Sequence, residues 1–87
     1  MGKVGVYILS CSNGRYYIGS TSNLDRRLLE HKTGRVLSTK NILPVRLVFP
    51  QKFASIRTAR TIEYRLKQKK SRTIIDKIIR DGYIRLV

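Results

Sequence analysis

The sequence predicts a small α/β fold with its elements in the order strand, strand, helix, strand, helix, helix. Three observations carry that prediction. Two apolar runs near the start, residues 4–9 and 15–19, flank a polar link containing Asn13-Gly14, the strongest short-range signal for a hairpin. Further on, Leu24 and Leu28, then Ala59, Ile62 and Leu66, then Ile74, Ile75, Ile78 and Ile79 recur at helical spacing. Each of those stretches follows side chains suited to capping a helix: Ser22 or Asn23, Ser55, and Ser71. A sheet this small needs helices to cover it.

Taken in order, Val4, Val6 and Ile8 alternate with Gly5, Tyr7 and Leu9, the pattern of a strand covered in part on both faces. Residues 15–19 return as its antiparallel partner, through a link long enough for a loop with a bulge. The short link lets Tyr7 and Tyr17 approach one another on one face, although a slip of one residue would separate them. Tyr16 and Tyr17 point to opposite faces of any regular strand. The first helix runs to about Lys32, with Asp25 in its first turn, where the helix dipole favours an anion, and Gly34 ends it. Residues 35–43 read as a polar, basic linker. Pro44 precedes a third strand over residues 45–49, whose edge or end is marked by Pro50 and Lys52. The second helix starts near Ser55, and the Lys-Gln-Lys-Lys-Ser stretch at 67–71 breaks its apolar pattern. Gly82 closes the third helix, and the tail 83–87 reads as a short strand or an extended segment against the core.

The 87 residues leave room for one domain over residues 1–87 and one modest core. Apolar residues make up 41% of the chain, enough to exclude wholesale disorder. No apolar run approaches the roughly 18 residues of a membrane span. The start Met-Gly-Lys-Val-Gly-Val-Tyr reads as a first strand rather than a signal peptide. The lone Cys11 allows no internal disulfide and offers no metal cluster, and a cytoplasmic setting fits it. Nineteen Lys and Arg against five Asp and Glu give a formal charge of +14. Self-repulsion on that scale works against the compact state, and a polyanion relieves it. Nucleic acid is the leading partner class, with a ribosomal role or an anionic membrane as rivals.

Five side chains stand out as carriers of chemistry. Arg27 lies just off the leucine stripe of the first helix, where a guanidinium can fork onto a phosphate; it is also one arginine among many. Its neighbour Arg26 is expected to face solvent. His31, the only histidine, is four residues on; it can act as a base or hold a tyrosine hydroxyl, or simply interact with the last helix carbonyls. Glu63 is the only acid between Glu30 and Asp76. It can ligate Mg²⁺, which often uses one or two carboxylates, or pair with Arg60 or Lys67. Tyr7 and Tyr17 are packing residues by default, and a basic neighbourhood favours their phenolates.

In this order, these residues resemble the GIY-YIG nuclease superfamily, named for two tripeptides in a leading hairpin. Gly5-Val6-Tyr7 and Tyr17-Ile18-Gly19 match the tripeptides. Residues 19–31, ending in Glu30-His31, resemble the family's first helix, and residues 59–66 the helix that carries its metal-binding glutamate. The resemblance covers essentially the whole chain and is strongest to small single-domain members, which are related to the N-terminal nuclease domain found in bacterial nucleotide-excision repair. It implies a three-stranded antiparallel sheet flanked by three helices, and a divalent-metal-dependent DNA endonuclease using Mg²⁺ or Mn²⁺, with a place in DNA repair or recombination. It also implies that Tyr7 and Tyr17 line the cleft, Arg27 holds the scissile phosphate, and Glu63 ligates the metal. Tyr7 is the favoured general base, with His31 as its rival. Gly5 and Gly19 are structural in the site. Arg15, Ser20, Arg26, Arg35, Lys40 and Arg72 are the expected nucleic-acid contacts, and a protein partner would supply specificity. The chain departs from the family at the asparagine that many members carry about a dozen residues beyond the glutamate. Here the zone reads Thr73-Ile74-Ile75-Asp76, leaving that role to Ser71 or Arg72 or unfilled. A non-catalytic nucleic-acid-binding module on the same fold is the alternative.

Overall fold

The computed structural model of the protein describes residues 3–84. Its elements are β1 (Gly5–Cys11), β2 (Tyr16–Thr21), α1 (Leu24–Lys32), β3 (Val45–Lys52), α2 (Ile56–Lys69) and α3 (Arg72–Asp81). The sheet is antiparallel with strand order β2-β1-β3, so β1 is central and β2 and β3 are edges. The order, the antiparallel sheet and the three helices are those expected from the sequence.

Alternation along β1 sends its side chains into two different layers. Val6 and Ile8 join Phe49, Ala59, Ile62, Leu66, Ile75 and Ile78 in a core under α2 and α3. Tyr7, Leu9 and Cys11 join Leu24 of α1 on the opposite face. Both faces of β1 are therefore buried, which is why its apolar run is continuous rather than alternating.

The β1–β2 turn is a loop over residues 12–15. Gly14 sits at φ +82°, and its N–H donates to the Cys11 carbonyl at 3.0 Å. The Asn13 side chain accepts from the Arg15 N–H at 3.1 Å. Pairing then sets Tyr7 opposite Gly19 and Leu9 opposite Tyr17, which fixes the register that the sequence left open. Tyr7 and Tyr17 are diagonal neighbours on one face, and Tyr16 packs on the other.

All three helices begin where the sequence places them. Asn23, Ser55 and Ser71 each accept from a backbone N–H three residues on, satisfying donors that the first turn leaves orphaned. Thr33 caps α1, with Gly34 following at φ +76°, and Gly82 caps α3.

Several boundaries and one segment differ from expectation, β1 among them, which starts at Gly5 and runs on to Cys11. β2 starts at Tyr16 and runs on to Thr21, and β3 continues through Pro50 to Lys52. Pro50 is tolerated because β3 is an edge strand, where a missing N–H breaks no ladder. α2 runs through Lys67 to Lys69, and Lys70 turns the chain at φ 47°. Residues 35–43 are no loose linker: Lys40 N and Ile42 N donate to the Val36 and Thr39 carbonyls at 2.9 and 3.0 Å. Val36 and Thr39 are buried there, Thr39 at 0% exposure. In the tail, residues 85–87 lie outside the described residues. Ile84 is not in a strand, and its N–H donates to Gln51 Oε1 at 2.7 Å.

Candidate active site

On the α1 face three rings converge. Tyr7 and Tyr17 lie with centroids 6.3 Å apart, and both present edges or faces to His31, at 5.4 and 5.0 Å. The Tyr7 hydroxyl is 2.8 Å from His31 Nε2, and His31 Nδ1 is 2.7 Å from Thr39 Oγ1. Tyr7, His31 and Thr39 are at most 1% exposed, so this is a buried chain of polar groups with every link made. A neutral imidazole has one donor and one acceptor. Hence Tyr7 donates to Nε2 while Nδ1–H donates to Thr39, or both bonds reverse.

Burial dominates the acid–base properties of the pair. It pushes the Tyr7 phenol up to about 12, against the opposing effect of the neighbouring Arg27 guanidinium. It also lowers His31 below the ordinary histidine value, assisted by the charge of Arg27. At neutral pH both rings are therefore uncharged. Arg27, one turn before His31 on α1, lies within hydrogen-bonding reach of the Tyr7 hydroxyl, which raises the guanidinium's own pKa. It also pairs with Glu30 at 3.3 Å and keeps 38% of its side chain exposed.

Gly19 makes the arrangement possible. A Cβ at this position would stand inside the Tyr7 phenol, against its oxygen and ring carbons. The missing side chain is the space that the Tyr7 ring occupies. Gly5 serves the packing of the sheet instead, since a Cβ there would meet the Gln51 carbonyl of β3 and Leu24 of α1. It lets β1 pack closely and does not line the site.

Glu63 belongs to the other layer. It projects from α2 beside the buried stripe of Ala59, Ile62 and Leu66 and accepts from the Ser20 hydroxyl through Oε1. Lys67 Nζ lies 2.5 Å from Oε2, the i, i+4 partner rather than Arg60. Ser20 pairs with Val6 and so faces α2, whereas its neighbour Gly19 pairs with Tyr7. Tyr7 and Glu63 thus reach neighbouring residues of β2, Gly19 and Ser20, from opposite faces of the sheet. They are electrostatically coupled, since the Glu63 charge contributes to raising Tyr7.

A metal ion fits at Glu63 only as a water-rich site. Among the described residues no three His, Cys, Asp or Glu side chains cluster, so one carboxylate would be the main protein ligand. That is the ligand habit of Mg²⁺, and hard oxygen donors suit Mg²⁺ and Mn²⁺ alike. The Lys67 ammonium already stands as a cation against one oxygen of that carboxylate, so the position is one that accepts positive charge.

The expected nucleic-acid contacts are distributed unevenly. Arg15 and Arg72 line a groove of about 440 Å³ between β2 and the α2–α3 junction, together with Tyr16, Lys67 and Lys70. Arg26, Arg35 and Lys40 are exposed on or after α1. The Ser20 hydroxyl is engaged by Glu63. Ser71 is engaged as the α3 cap. Thr39, Tyr16 and Lys67 were missed as site residues by sequence reasoning. The only available signal for Thr39 was the three-residue spacing of Val36, Thr39 and Ile42.

Comparison with known proteins shows the family of the chain. The model of the GIY-YIG catalytic domain matches residues 3–76. The chain is 44% identical over 69 residues to a UPF0213 protein of Streptococcus pneumoniae, covering 78% of this chain and 70% of that protein. It is 41% identical over 64 residues to a UPF0213 protein of Halobacterium salinarum, covering 72% and 83%. A solution NMR structure of a UPF0213 protein from Bacillus halodurans superposes with a TM-score of 0.57 at 35% identity, covering 88% of this chain and 82% of that one. The chain belongs to the GIY-YIG family, a nuclease family whose members act on nucleic acid and generally use divalent metal ions.

Proposed function

We propose that this GIY-YIG protein is a metal-dependent endonuclease that hydrolyses DNA phosphodiester bonds, with Tyr7 as the group that takes the proton from the attacking water. The observation that carries the reading is the Tyr7–His31–Thr39 chain, with Arg27 over its outer end and Glu63 across the β2 edge. With a pKa of about 12, Tyr7 is a free phenolate in roughly one molecule in 10⁵ at pH 7. A resting phenolate is therefore too scarce to serve as the base. Transfer in step avoids it: Tyr7 Oη accepts a proton from water while its own proton passes to His31 Nε2 across the 2.8 Å hydrogen bond. His31 is available to receive it because the imidazole is neutral; burial and Arg27 disfavour its charged form, and movement of Arg27 to the phosphate relieves part of that opposition. Both His31 nitrogens are engaged, Nε2 by the Tyr7 hydroxyl and Nδ1 by Thr39, so it acts through Tyr7 rather than on water directly. Thr39 is a positioning residue that holds the far nitrogen.

Arg27 binds the scissile phosphate. Its exposed guanidinium turns from Tyr7 toward the anion, which also uncovers the phenol oxygen, and it offsets charge developing on the phosphoryl oxygens. Tyr17, half-exposed against both buried rings, orients the water or the phosphate. Glu63 would hold the metal, with Ser20 fixing the carboxylate rotamer and Lys67 releasing Oε2. When bound, the ion supplies Lewis-acid stabilisation of phosphoryl charge. Arg26, Arg35 and Lys40 contribute sequence-independent backbone attraction.

The test is nicking of supercoiled or branched DNA by purified protein with Mg²⁺ or Mn²⁺. Tyr7→Phe is expected to slow cutting by about 10²–10⁴-fold, and Glu63→Ala to reduce it to background. A wild type that never cuts, but binds DNA with steep salt dependence and no need of metal, would establish the non-catalytic alternative.

A further inference from the structure

Besides the ring cluster, the molecule has a second chemical concentration that the mechanism above leaves unused. The groove between β2 and the α2–α3 junction collects Arg15, Lys67, Lys70 and Arg72 around Tyr16, with no carboxylate among its lining residues. Two of its members are fixed in advance. The Tyr16 hydroxyl donates to Asp76 at 2.6 Å, and the Arg72 guanidinium lies 4.5 Å from the Tyr16 ring centroid while donating to the Gly14 carbonyl at 2.6 Å. A fixed aromatic ring with a guanidinium over it, among exposed lysines and above Ile18, Leu66 and Ile75, combines stacking surface with phosphate-binding charge. The aromatic and apolar lining favours unpaired bases, whose faces are free to stack, over a duplex whose bases already stack on one another.

Lys67 connects this groove to the candidate active site. It lines the groove and holds Glu63 Oε2 at the same time, with 52% of its side chain exposed. The lysine end of this i, i+4 pair is exposed while the Glu63 side chain is 20% exposed, so a phosphate in the groove can reach the ammonium and compete with the carboxylate for it. We propose that the groove is a backbone subsite for single-stranded nucleic acid flanking the cleaved bond, and that Lys67 exchanges from Glu63 to a phosphate of that strand, freeing the carboxylate for a divalent ion. This rests on the nuclease reading for the role of Glu63. By linkage, strand and metal then each tighten the binding of the other.

Binding measurements test this apart from cleavage. In EDTA, oligothymidine binding to Arg15→Ala/Lys70→Gly is expected to show a slope of log K against log[salt] shallower by about 1.4, two single-strand phosphate contacts. Glycine at position 70 suits the left-handed backbone there. Arg46→Ala, on the opposite edge of the sheet, is expected to change nothing. In the absence of DNA, Lys67→Met is expected to bind Mn²⁺ at least about two-fold more tightly than wild type, read by electron paramagnetic resonance. An unchanged slope in the groove variant, or an equal loss with Arg46→Ala or with a blunt duplex, overturns the strand subsite. Equal or absent Mn²⁺ binding by wild type and Lys67→Met overturns the exchange. Failure of the nuclease reading would appear elsewhere, as intact binding without nicking.

Discussion

Under α2 and α3 the sheet buries Val6, Ile8, Phe49, Ala59, Ile62, Leu66, Ile75 and Ile78 against one another, and every buried member of that cluster is apolar. Under α1 the same strand buries a phenol, an imidazole and a threonine hydroxyl beside Leu9, Cys11 and Leu24. The first face needs only shape and hydrophobicity, so its stability comes from area removed from water. The second must also satisfy each polar atom, and it does: among the described residues no buried side-chain nitrogen or oxygen lacks a partner. A polar network under a helix contributes less to stability than apolar packing of the same volume, and it becomes costly once one member is removed. Under the proposed function, its presence in so small a fold is the cost of chemistry. The comparison therefore predicts that damage to the two faces separates into lost stability and lost function.

The largest stability effect is expected on the apolar face. Ile78→Ala, at a position 7% exposed, should destabilise by about 2–5 kcal/mol, measured by urea denaturation. Nicking per folded molecule should stay close to wild type, and a selective loss of nicking instead would erase the distinction between the faces. Next comes Gly19→Ala. Its new methyl collides with the Tyr7 phenol, so the ring must shift, at a cost of about 1–3 kcal/mol. Here nicking should fall far more than stability does, because the Tyr7–His31 hydrogen bond is broken. A crystal structure of the variant with that bond intact would sink the explanation.

The smallest effect sharpens the comparison through pH. The folded-state pKa of His31 is lowered by burial and by Arg27, so the unfolded chain binds the proton more readily. The stability from keeping it neutral is fully present above the unfolded value near 6.5 and is lost as pH falls through the folded value. For one proton the slope cannot exceed about 1.4 kcal/mol per pH unit. Urea midpoints of wild type should therefore drop between pH 7.5 and pH 5 more than those of His31→Gln, whose amide does not titrate. Parallel curves for the two proteins would mean that His31 is not held neutral by the fold.

Much of this architecture is legible in the chain itself because it depends on neighbours in sequence. Asn23, Ser55 and Ser71 cap their helices through backbone groups three residues away, and the Leu66 and Ile75 stripes repeat at the helical period. The choice of Arg27, His31 and Glu63 also came from local placement beside apolar stripes, joined to a resemblance in motif order. What each of them touches was not legible. The pairing of Tyr7 with Gly19 is set by a loop whose residue count permits more than one register. Thr39 reaches His31 only because residues 36–42 fold back on themselves, where polarity alone suggested an open linker. Lys67 looked like the start of a break and is instead a helical residue with one contact in the site and one wall of the groove.

The sequence by itself determined the capped helices, the central apolar strand, the basic surface and the identity of the groups able to do chemistry, since composition and short-range periodicity encode those. Tertiary structure alone decided that Tyr7 and Glu63 reach adjacent residues of β2 from opposite faces of the sheet. Strand order and register place residues 56 positions apart in the chain, and no local interaction energy depends on that separation.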